Sequence, residues 1–207
     1  MEGRRYLWIG DKMGRLDGCV AYLCGPIDHA DDDGVGWRRV LSAQLAEKYG
    51  MKVLDPTDKP FKSHTHNFEE IGDEKVNALR LRDEKKFDVL ASKMREIVRA
   101  DLRCVDLSDI LIAYIPKDTH LCGTIHEIVV ASESKKPTLL VVEGGRENAS
   151  NWFWGMLPTS PDEDGRSGWI FDGWDAFFTY MDEIDNVEQE FPEPKASRWV
   201  ILDVGSR

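Results

Sequence analysis

Short apolar runs recur along the first two thirds of the chain and are bounded by polar or turn-forming residues. The runs cover residues 19–24, 51–54, 110–115 and 138–142. Continuous apolar runs of this length are typical of parallel strands that are covered on both faces. They therefore predict four strands at the centre of the protein.

Segments with helical spacing of apolar residues lie between and after these runs. Residues 37–49 form one such segment, and 174–184 form another. The highly charged stretch 76–107 predicts one or two helices, the second from about residue 90 to 105, and Gly123-Thr124 opens a further helix. A strand, a helix and a strand within about 35 residues form a right-handed βαβ unit. We predict a flavodoxin-like or Rossmann-like α/β sandwich, with a mostly parallel central sheet and helices on both faces.

Two regions lack a regular period. Residues 57 to about 90 include a polar segment rich in Pro and His that is long for a connection, so we interpret it as an insertion. Residues 146–207 form an aromatic-rich C-terminal extension, with a late strand at 199–204. A weaker pattern at 5–9 indicates a hairpin partner for the first strand. We predict a single domain over residues 1–207.

Charge and composition exclude several classes of protein. The formal net charge of −11 argues against a nucleic-acid polymer as partner, because such polymers require a basic surface. No stretch approaches the roughly 18 consecutive apolar residues of a membrane span, and the apolar patch at the start is too short for a signal peptide. We therefore expect a cytoplasmic protein without a membrane partner. The four cysteines form no C-x-x-C pair, so we expect reduced, packed thiols.

Common phosphate-binding and nucleophile motifs are absent from the sequence. It contains neither a Walker A motif nor G-x-G-x-x-G, and no G-x-S-x-G elbow. His64 and His66 lie in the long insertion without obvious carboxylate or thiolate partners, which favours a solvated loop over a metal site. We predict no metal and no cofactor.

Four features follow the predicted strands and should meet at the carboxyl edge of the sheet, where α/β proteins bind ligands. They are Tyr22 with residues 24–26, Asp55-Pro56, the loop after residue 115, and Glu143-Gly144-Gly145.

Carboxylates near the third strand are the candidates for chemistry. Glu127 is predicted in the first turn of the helix that Gly123 opens, where an acidic residue can simply favour the helix dipole. Asp101 is predicted at the end of the helix that leads into the third strand, and Asp106 and Asp109 lie nearer that strand. Two carboxylates in one cleft can divide the work of glycosidic chemistry between a nucleophile and a proton donor.

Several short motifs together resemble the nucleoside 2-deoxyribosyltransferase family, which also contains nucleoside 5'-monophosphate N-glycosidases. The motifs are Y-L-C-G-P-I at 22–27, Trp37-Arg38, V-L-D-P at 53–56, R-A-D-L at 99–102 with Asp109, and G-T-I-H-E-I at 123–128 with Ala131. The resemblance covers about residues 18–143, and W-I-F-D-G-W-D-A-F at 169–177 is similar to the C-terminal helix of the family.

The resemblance implies a role for each matching residue. Glu127 attacks the anomeric carbon and forms a covalent glycosyl-enzyme, Asp101 helps to protonate the leaving base, and Tyr22 orients the glutamate. Gly25 lets the sugar approach the backbone. The remaining substrate-binding positions are Cys24, Pro26, Asp55, Gly123 and Thr124.

The family also implies a homo-oligomer, a dimer or higher, whose sites borrow residues from a neighbouring subunit. The segment N-W-F-W-G-M-L at 151–157 is the candidate contributor, with Asn151 as a possible ligand. Ordinary packing of its tryptophans over the sheet is the alternative interpretation.

The loop before Gly123 departs from the family pattern. Leu121 and Cys122 stand where the family often carries a small polar or acidic residue that touches the 5' end of the sugar. The acidic residues Asp28 and 31–33 near the first strand disfavour a 5'-phosphate. Both features favour free nucleosides as substrates.

The leading hypothesis from the sequence is a 2'-deoxyribosyltransferase that acts on a nucleoside or nucleotide and a free nucleobase. The alternative within enzymes is an N-glycosidase acting on a nucleoside or its 5'-monophosphate. The alternative of another class is a non-catalytic nucleotide-binding module on the same fold.

Overall fold

The computed structural model describes residues 14–27, 30, 32–59, 84–157 and 170–186. The predicted hairpin partner at 5–9, the loop with His64 and His66, and the late strand at 199–204 lie outside these residues. The acidic positions 28 and 31 lie outside them too. The single domain over residues 1–207 stays a prediction.

Five strands alternate with helices along the described chain. In order the elements are β1 (Val20–Cys24), α1 (Val35–Tyr49), β2 (Lys52–Leu54), α2 (Glu84–Leu107), β3 (Ile110–Ile115), α3 (Cys122–Glu133), β4 (Thr138–Val142), a 3-10 turn (Arg146–Asn148), α4 (Asn151–Met156), β5 (Ile170–Phe171) and α5 (Trp174–Asp185).

The strands form one parallel sheet in the order β2-β1-β3-β4-β5. In the pairing of β1 with β3, Tyr22 lies opposite Leu111 and Cys24 opposite Ala113. The order reverses direction between β1 and β3, which creates a crevice at the carboxyl ends of these two strands. The topology confirms the predicted flavodoxin-like α/β fold.

Alternate residues of each strand enter two separate cores, as the period of two requires. On the first face, Leu23 and Ile112 pack with Leu45 of α1 and Phe177 of α5. On the second face, the intervening strand residues, such as Leu111, pack against α2, α3 and α4. Tyr22 and Cys24 belong to the second face, so β1 presents two polar side chains to the same side as α3.

Two helices are placed differently from the prediction, and the difference matters for the carboxylates. Helix α3 begins at Cys122 and has no acidic residue in its first turn. Glu127 therefore lies in the second turn, and the predicted first-turn position is wrong. Helix α2 is continuous from Glu84 to Leu107, so Asp101 lies inside this helix rather than at its end.

Strand β5 was missed by the sequence pattern because two residues cannot establish a period. Ile170 and Phe171 pair with Leu140 and Val141 of β4. Both residues are buried, Ile170 in the second core and Phe171 in the first. The strand closes the far edge of the described sheet and leads directly into α5.

Candidate active site

Glu127 accepts two hydrogen bonds from neighbouring positions on β1. The Tyr22 hydroxyl donates to Glu127 Oε1 over 2.7 Å, and Cys24 Sγ lies 2.8 Å from Glu127 Oε2. Tyr22 and Cys24 point to the same face because they are two residues apart on a strand. Each carboxylate oxygen thus has its own donor, which fixes the orientation of the carboxylate at the crevice between β1 and β3.

Burial sets the ionisation of Glu127. Removal of the carboxylate from water raises its pKa to about 7, and the nearby Asp101 acts in the same direction. The hydrogen bonds from Cys24 and Tyr22 and the charge of Arg38 lower the pKa but do not cancel the effect of burial. Glu127 consequently changes charge near neutral pH.

The two donors keep their protons under the same conditions. Burial, followed by the charge of Glu127, raises the pKa of the Tyr22 hydroxyl and of the Cys24 thiol well above their usual values. Both side chains are completely buried. Tyr22 and Cys24 therefore act as hydrogen-bond donors that orient Glu127, rather than as nucleophiles.

Asp101 comes from α2 and pairs with Lys59. The distance from Lys59 Nζ to Asp101 Oδ1 is 2.8 Å, and the two side chains are only 11% and 14% exposed. Burial raises the pKa of Asp101, while the ammonium of Lys59 and the guanidinium of Arg38 oppose that rise. The charge of Asp101 raises the pKa of Glu127, so the two predicted carboxylates share one electrostatic environment.

Lys59 was not found from the sequence. It stands at the start of the polar insertion, where no periodicity or motif distinguishes it. Its position depends on the turn after β2, in which Asp55 Oδ1 accepts bonds from the Thr57 amide at 2.8 Å and hydroxyl at 2.7 Å. An aspartate before a proline is a turn signal, but it does not show where the following lysine points.

Arg38 holds the loop after β1 from within the protein. It is fully buried, and its guanidinium donates to the carbonyl oxygens of Gly25 and Gly34, both at 2.8 Å, and of Pro26 at 3.2 Å. A buried guanidinium that satisfies several carbonyls fixes the backbone that carries them. The sequence motif included Arg38, but its role as the organiser of this loop appears only in the structure.

Asp55 faces Arg38 at the end of β2. Its Oδ1 lies 3.8 Å from Arg38 Nε. Together with the bonds from Thr57, this contact gives Asp55 a role in shaping the turn and balancing a buried cation. Its predicted role in substrate binding stays a prediction.

The glycines of the two motifs differ in what surrounds them. A Cβ at Gly25 would lie 2.7 Å from Trp37 Cζ2 and 3.3 Å from the Tyr114 carbonyl oxygen, so close packing already excludes a side chain there. Gly123 is exposed, and among the described residues no heavy atom outside its chain neighbours and the backbone of its own helix lies within 4 Å of a Cβ built there. The space beside Gly123, at the start of α3, is therefore open to a ligand.

Two further predicted binding positions have structural contacts. Pro26 is buried, and its carbonyl oxygen is bound by Arg38. Thr124 is buried as well, and its carbonyl oxygen lies 3.5 Å from Cys24 Sγ. Thr124 therefore lies beside Cys24, whereas Pro26 is held by Arg38 in the loop after β1.

Several candidate residues lie apart from this cluster. The Asp109 carboxylate accepts the Val20 amide at 2.9 Å, which ties the start of β1 to β3. Asp106 is exposed and pairs with Arg103 at 3.3 Å. Glu143 accepts the Lys117 amide at 2.9 Å. Asn151 is exposed at the start of α4.

The aromatic segment of α4 is only partly packed over the sheet. Phe153 is buried in the second core and Trp154 packs against it. Trp152 is 75% exposed, so packing over the sheet is the wrong interpretation for this residue.

The described residues contain no group of three His, Cys, Asp or Glu side chains that could hold a metal ion. The four cysteines are free thiols; Cys122 is exposed and the other three are buried. A search of the described helices found none with the length and apolar character needed to cross a membrane.

Comparison with known proteins gives a likeness in structure but not in sequence. No protein-family model matches the chain, and no curated protein is significantly similar to it. The chain is similar to the solved structure of a 2-deoxyribosyltransferase from the psychrotolerant bacterium Bacillus psychrosaccharolyticus. The sequences are 16% identical, the match covers 82% of this chain and 93% of that chain, and the TM-score is 0.45.

Proposed function

We propose that the protein is a nucleoside 2'-deoxyribosyltransferase and that Glu127 is its nucleophile. The observation that carries this proposal is the Glu127 carboxylate held by Tyr22 at 2.7 Å and by Cys24 at 2.8 Å, at the carboxyl edge of the sheet. A structural carboxylate does not need two buried donors and a titration near neutral pH. Perturbed groups of this kind cluster at catalytic sites.

In the first step, one Glu127 oxygen attacks the anomeric carbon of the nucleoside. The bond from carbon to the base nitrogen breaks, its electron pair leaves with the base, and an ester between the sugar and Glu127 forms. The hydrogen bonds from Tyr22 and Cys24 use one lone pair on each oxygen and leave others free for attack. They also favour the ionised carboxylate, which is the reactive form.

The departing base needs a proton, and Asp101 is the proposed source. Burial raises its pKa, so a protonated Asp101 is accessible at a higher pH than for an exposed aspartate. Proton transfer to the base makes it a better leaving group. In the second step a nitrogen of another base attacks the anomeric carbon and gives its proton to the Asp101 carboxylate, the ester bond breaks, and Glu127 is regenerated as a carboxylate.

The proposed substrates are free deoxyribonucleosides and nucleobases. The open space beside Gly123 accommodates the sugar at the start of α3. Leu121 packs against the second core and Cys122 is exposed. This loop therefore offers no cationic side chain at these two positions for a 5'-phosphate.

A base-exchange assay tests the proposal. The protein is incubated with a deoxyribonucleoside and a different free base, and the products are separated by chromatography. We expect the new deoxyribonucleoside to form, and we expect Glu127→Gln to abolish it. Glu133→Gln is the matched control, because Glu133 is an exposed glutamate on the same helix.

Two other outcomes would assign other functions. Release of free sugar and base without a new nucleoside would indicate the N-glycosidase, in which water replaces the second base. Binding of a nucleoside without turnover, with affinity unaffected by Glu127→Ala, would indicate the non-catalytic module.

We also propose a homo-oligomer in which α4 contacts a neighbouring subunit. Exposed Trp152 supports this proposal, since a large aromatic side chain is enriched in protein interfaces. Light scattering after gel filtration should give the mass of a dimer or a larger assembly. Trp152→Glu should reduce that mass, whereas a monomeric wild-type protein would refute the proposal.

A further inference from the structure

The ion pair of Lys59 with Asp101 is enclosed by protein, in contrast to a second close lysine–aspartate pair among the described residues. Lys48 and Asp182 approach to 2.7 Å on the surface, with side chains 49% and 41% exposed. Lys59 and Asp101 are at 2.8 Å with 11% and 14% exposed. Burial of an ion pair costs solvation energy that the attraction often fails to recover. A contribution to folding stability therefore does not explain why Lys59 and Asp101 form a buried ion pair.

The charges around the candidate nucleophile give a better reason. The cluster contains three carboxylates, those of Glu127, Asp101 and Asp55, and two cations, Arg38 and Lys59. Arg38 is turned towards Asp55 and the carbonyl groups of the loop after β1. Among the described residues, Lys59 is therefore the cation closest to Asp101, and its loss would leave the neighbouring carboxylates with less opposing charge.

The structure also fixes where Lys59 can reach. Asp55 and Thr57 are hydrogen-bonded within the turn after β2. The same turn contains an antiparallel bridge between Asp55 and Asp58. This bridge folds the chain back beside β2 and directs residue 59 towards α2. The lysine is thus held on an ordered turn.

We propose that Lys59 is a positioning residue of the same site, which holds the Asp101 carboxyl group and offsets the negative charge that it carries after giving up its proton. The role in catalysis rests on the proposed function. The electrostatic role does not, since it concerns the charges of the protein without substrate.

Several groups face Asp101, and each contributes to its titration. The charged and titratable groups around it include Lys59 from the turn after β2, Arg38 from α1, Tyr22 from β1, Glu127 from α3 and Cys104 from α2 itself. An opposite charge within about 4–6 Å typically lowers the pKa of a carboxyl by about one unit or more. Removal of the Lys59 charge should raise the titration midpoint of Asp101.

Carbon NMR of the side-chain carboxyl groups tests this in the substrate-free protein. The resonances of Asp101 and Glu127 are assigned with Asp101→Asn and Glu127→Gln and followed over a pH series. We expect Lys59→Met to raise the Asp101 midpoint by about one pH unit. Lys59→Arg, which keeps the charge, should retain midpoints near those of the wild type. Lys48→Met removes the exposed lysine on the other face and should change neither midpoint.

An unchanged Asp101 midpoint in Lys59→Met would overturn the proposal, as would an equal shift in Lys48→Met. If circular dichroism shows that Lys59→Met is unfolded, Lys59→Gln gives the same comparison with a polar, uncharged side chain. In the base-exchange reaction, the limb of the kcat/KM profile that reports Asp101 should move upward with its NMR midpoint. A failure of that reaction in the wild type would refute the proposed function, while the NMR series would still decide the role of Lys59.

Discussion

The two faces of the sheet each carry a tyrosine that donates to a carboxylate over 2.7 Å. On the first face Tyr49 donates to Asp182, and on the second Tyr22 donates to Glu127. The pKa of Asp182 is lowered by its bonds with Lys48 and Tyr49, whereas the pKa of Glu127 is raised to about 7 by burial. Tyrosine hydrogen bonds of equal length thus accompany pKa shifts in opposite directions.

Solvent access explains the difference between the two pairs. The Asp182 side chain is 41% exposed and remains hydrated beside Lys48. Glu127 is half-buried beside the completely buried Tyr22 and Cys24, and desolvation outweighs its two hydrogen bonds. A surface pair of this kind contributes little beyond local stability. A desolvated carboxylate that titrates near neutral pH is suited to catalysis.

The largest expected effect is on activity, where substitutions of Glu127 and Asp182 should give different results. Glu127→Gln should lower the rate of base exchange by about a thousandfold or more, because the amide cannot form the glycosyl ester. Asp182→Asn, on the other face, should leave the rate close to that of the wild type. Steady-state kinetics on both variants measure the contrast. Comparable losses in the two variants would mean that Glu127 has no special role.

The next largest effect is on stability and concerns the first face of the sheet. Phe177 is completely buried in the first core, where it makes edge contacts with Phe171, Trp174 and Phe178. Phe177→Ala should reduce the free energy of unfolding by about 3–5 kcal/mol, because the cavity loses these contacts. Urea denaturation measures this change in the free energy of unfolding. In the fraction that remains folded, the pH dependence of activity should match the wild type.

The substitution that abolishes activity should also stabilise the fold at alkaline pH. Since burial raises the pKa of Glu127 to about 7, its ionisation opposes folding, and stability is lost as the pH rises through that value. Glu127→Gln removes this cost and should raise the free energy of unfolding at pH 8 by about 2 kcal/mol relative to wild type. The gain should vanish near pH 4. A loss of stability at pH 8 would contradict the account.

The smallest effect concerns the two tyrosines. Tyr22→Phe removes a hydrogen bond that lowers the pKa of Glu127, so the acid limb of kcat/KM should move upward by about one pH unit. At pH 6 this corresponds to about a tenfold loss of activity. Tyr49→Phe is the matched control on the first face and should leave the limb in place. A limb that does not move in Tyr22→Phe would show that its hydroxyl does not act on the nucleophile.

Much of the fold followed from periodicity alone. The bounds of β3 and β4 agree with the predicted runs because both are continuous apolar segments between turn residues. Strand β5 did not follow, since its two residues have no period and depend on pairing with β4. The helical pattern also could not place Glu127 in the correct turn, because the start of α3 at Cys122 carries no side-chain cap to mark it.

The candidate site was predictable only where residues lay in motifs. Tyr22, Asp101 and Glu127 were identified in this way, and the structure brings them into one network. Lys59 was not, because its contact with Asp101 joins a turn to a helix distant in sequence. Cys24 was predicted to bind substrate, which stays a prediction, and the structure adds a contact of its thiol with Glu127 Oε2 at 2.8 Å.

The most direct test is to trap the sugar on the protein. A deoxyribonucleoside with fluorine at C2' destabilises the oxocarbenium-like transition state and slows breakdown of a glycosyl ester. After incubation, mass spectrometry of proteolytic peptides should show the mass of the fluorinated sugar on the peptide that contains Glu127, and no such adduct in Glu127→Gln. An adduct on another residue, or turnover without any adduct in the wild type, would contradict Glu127 as the nucleophile.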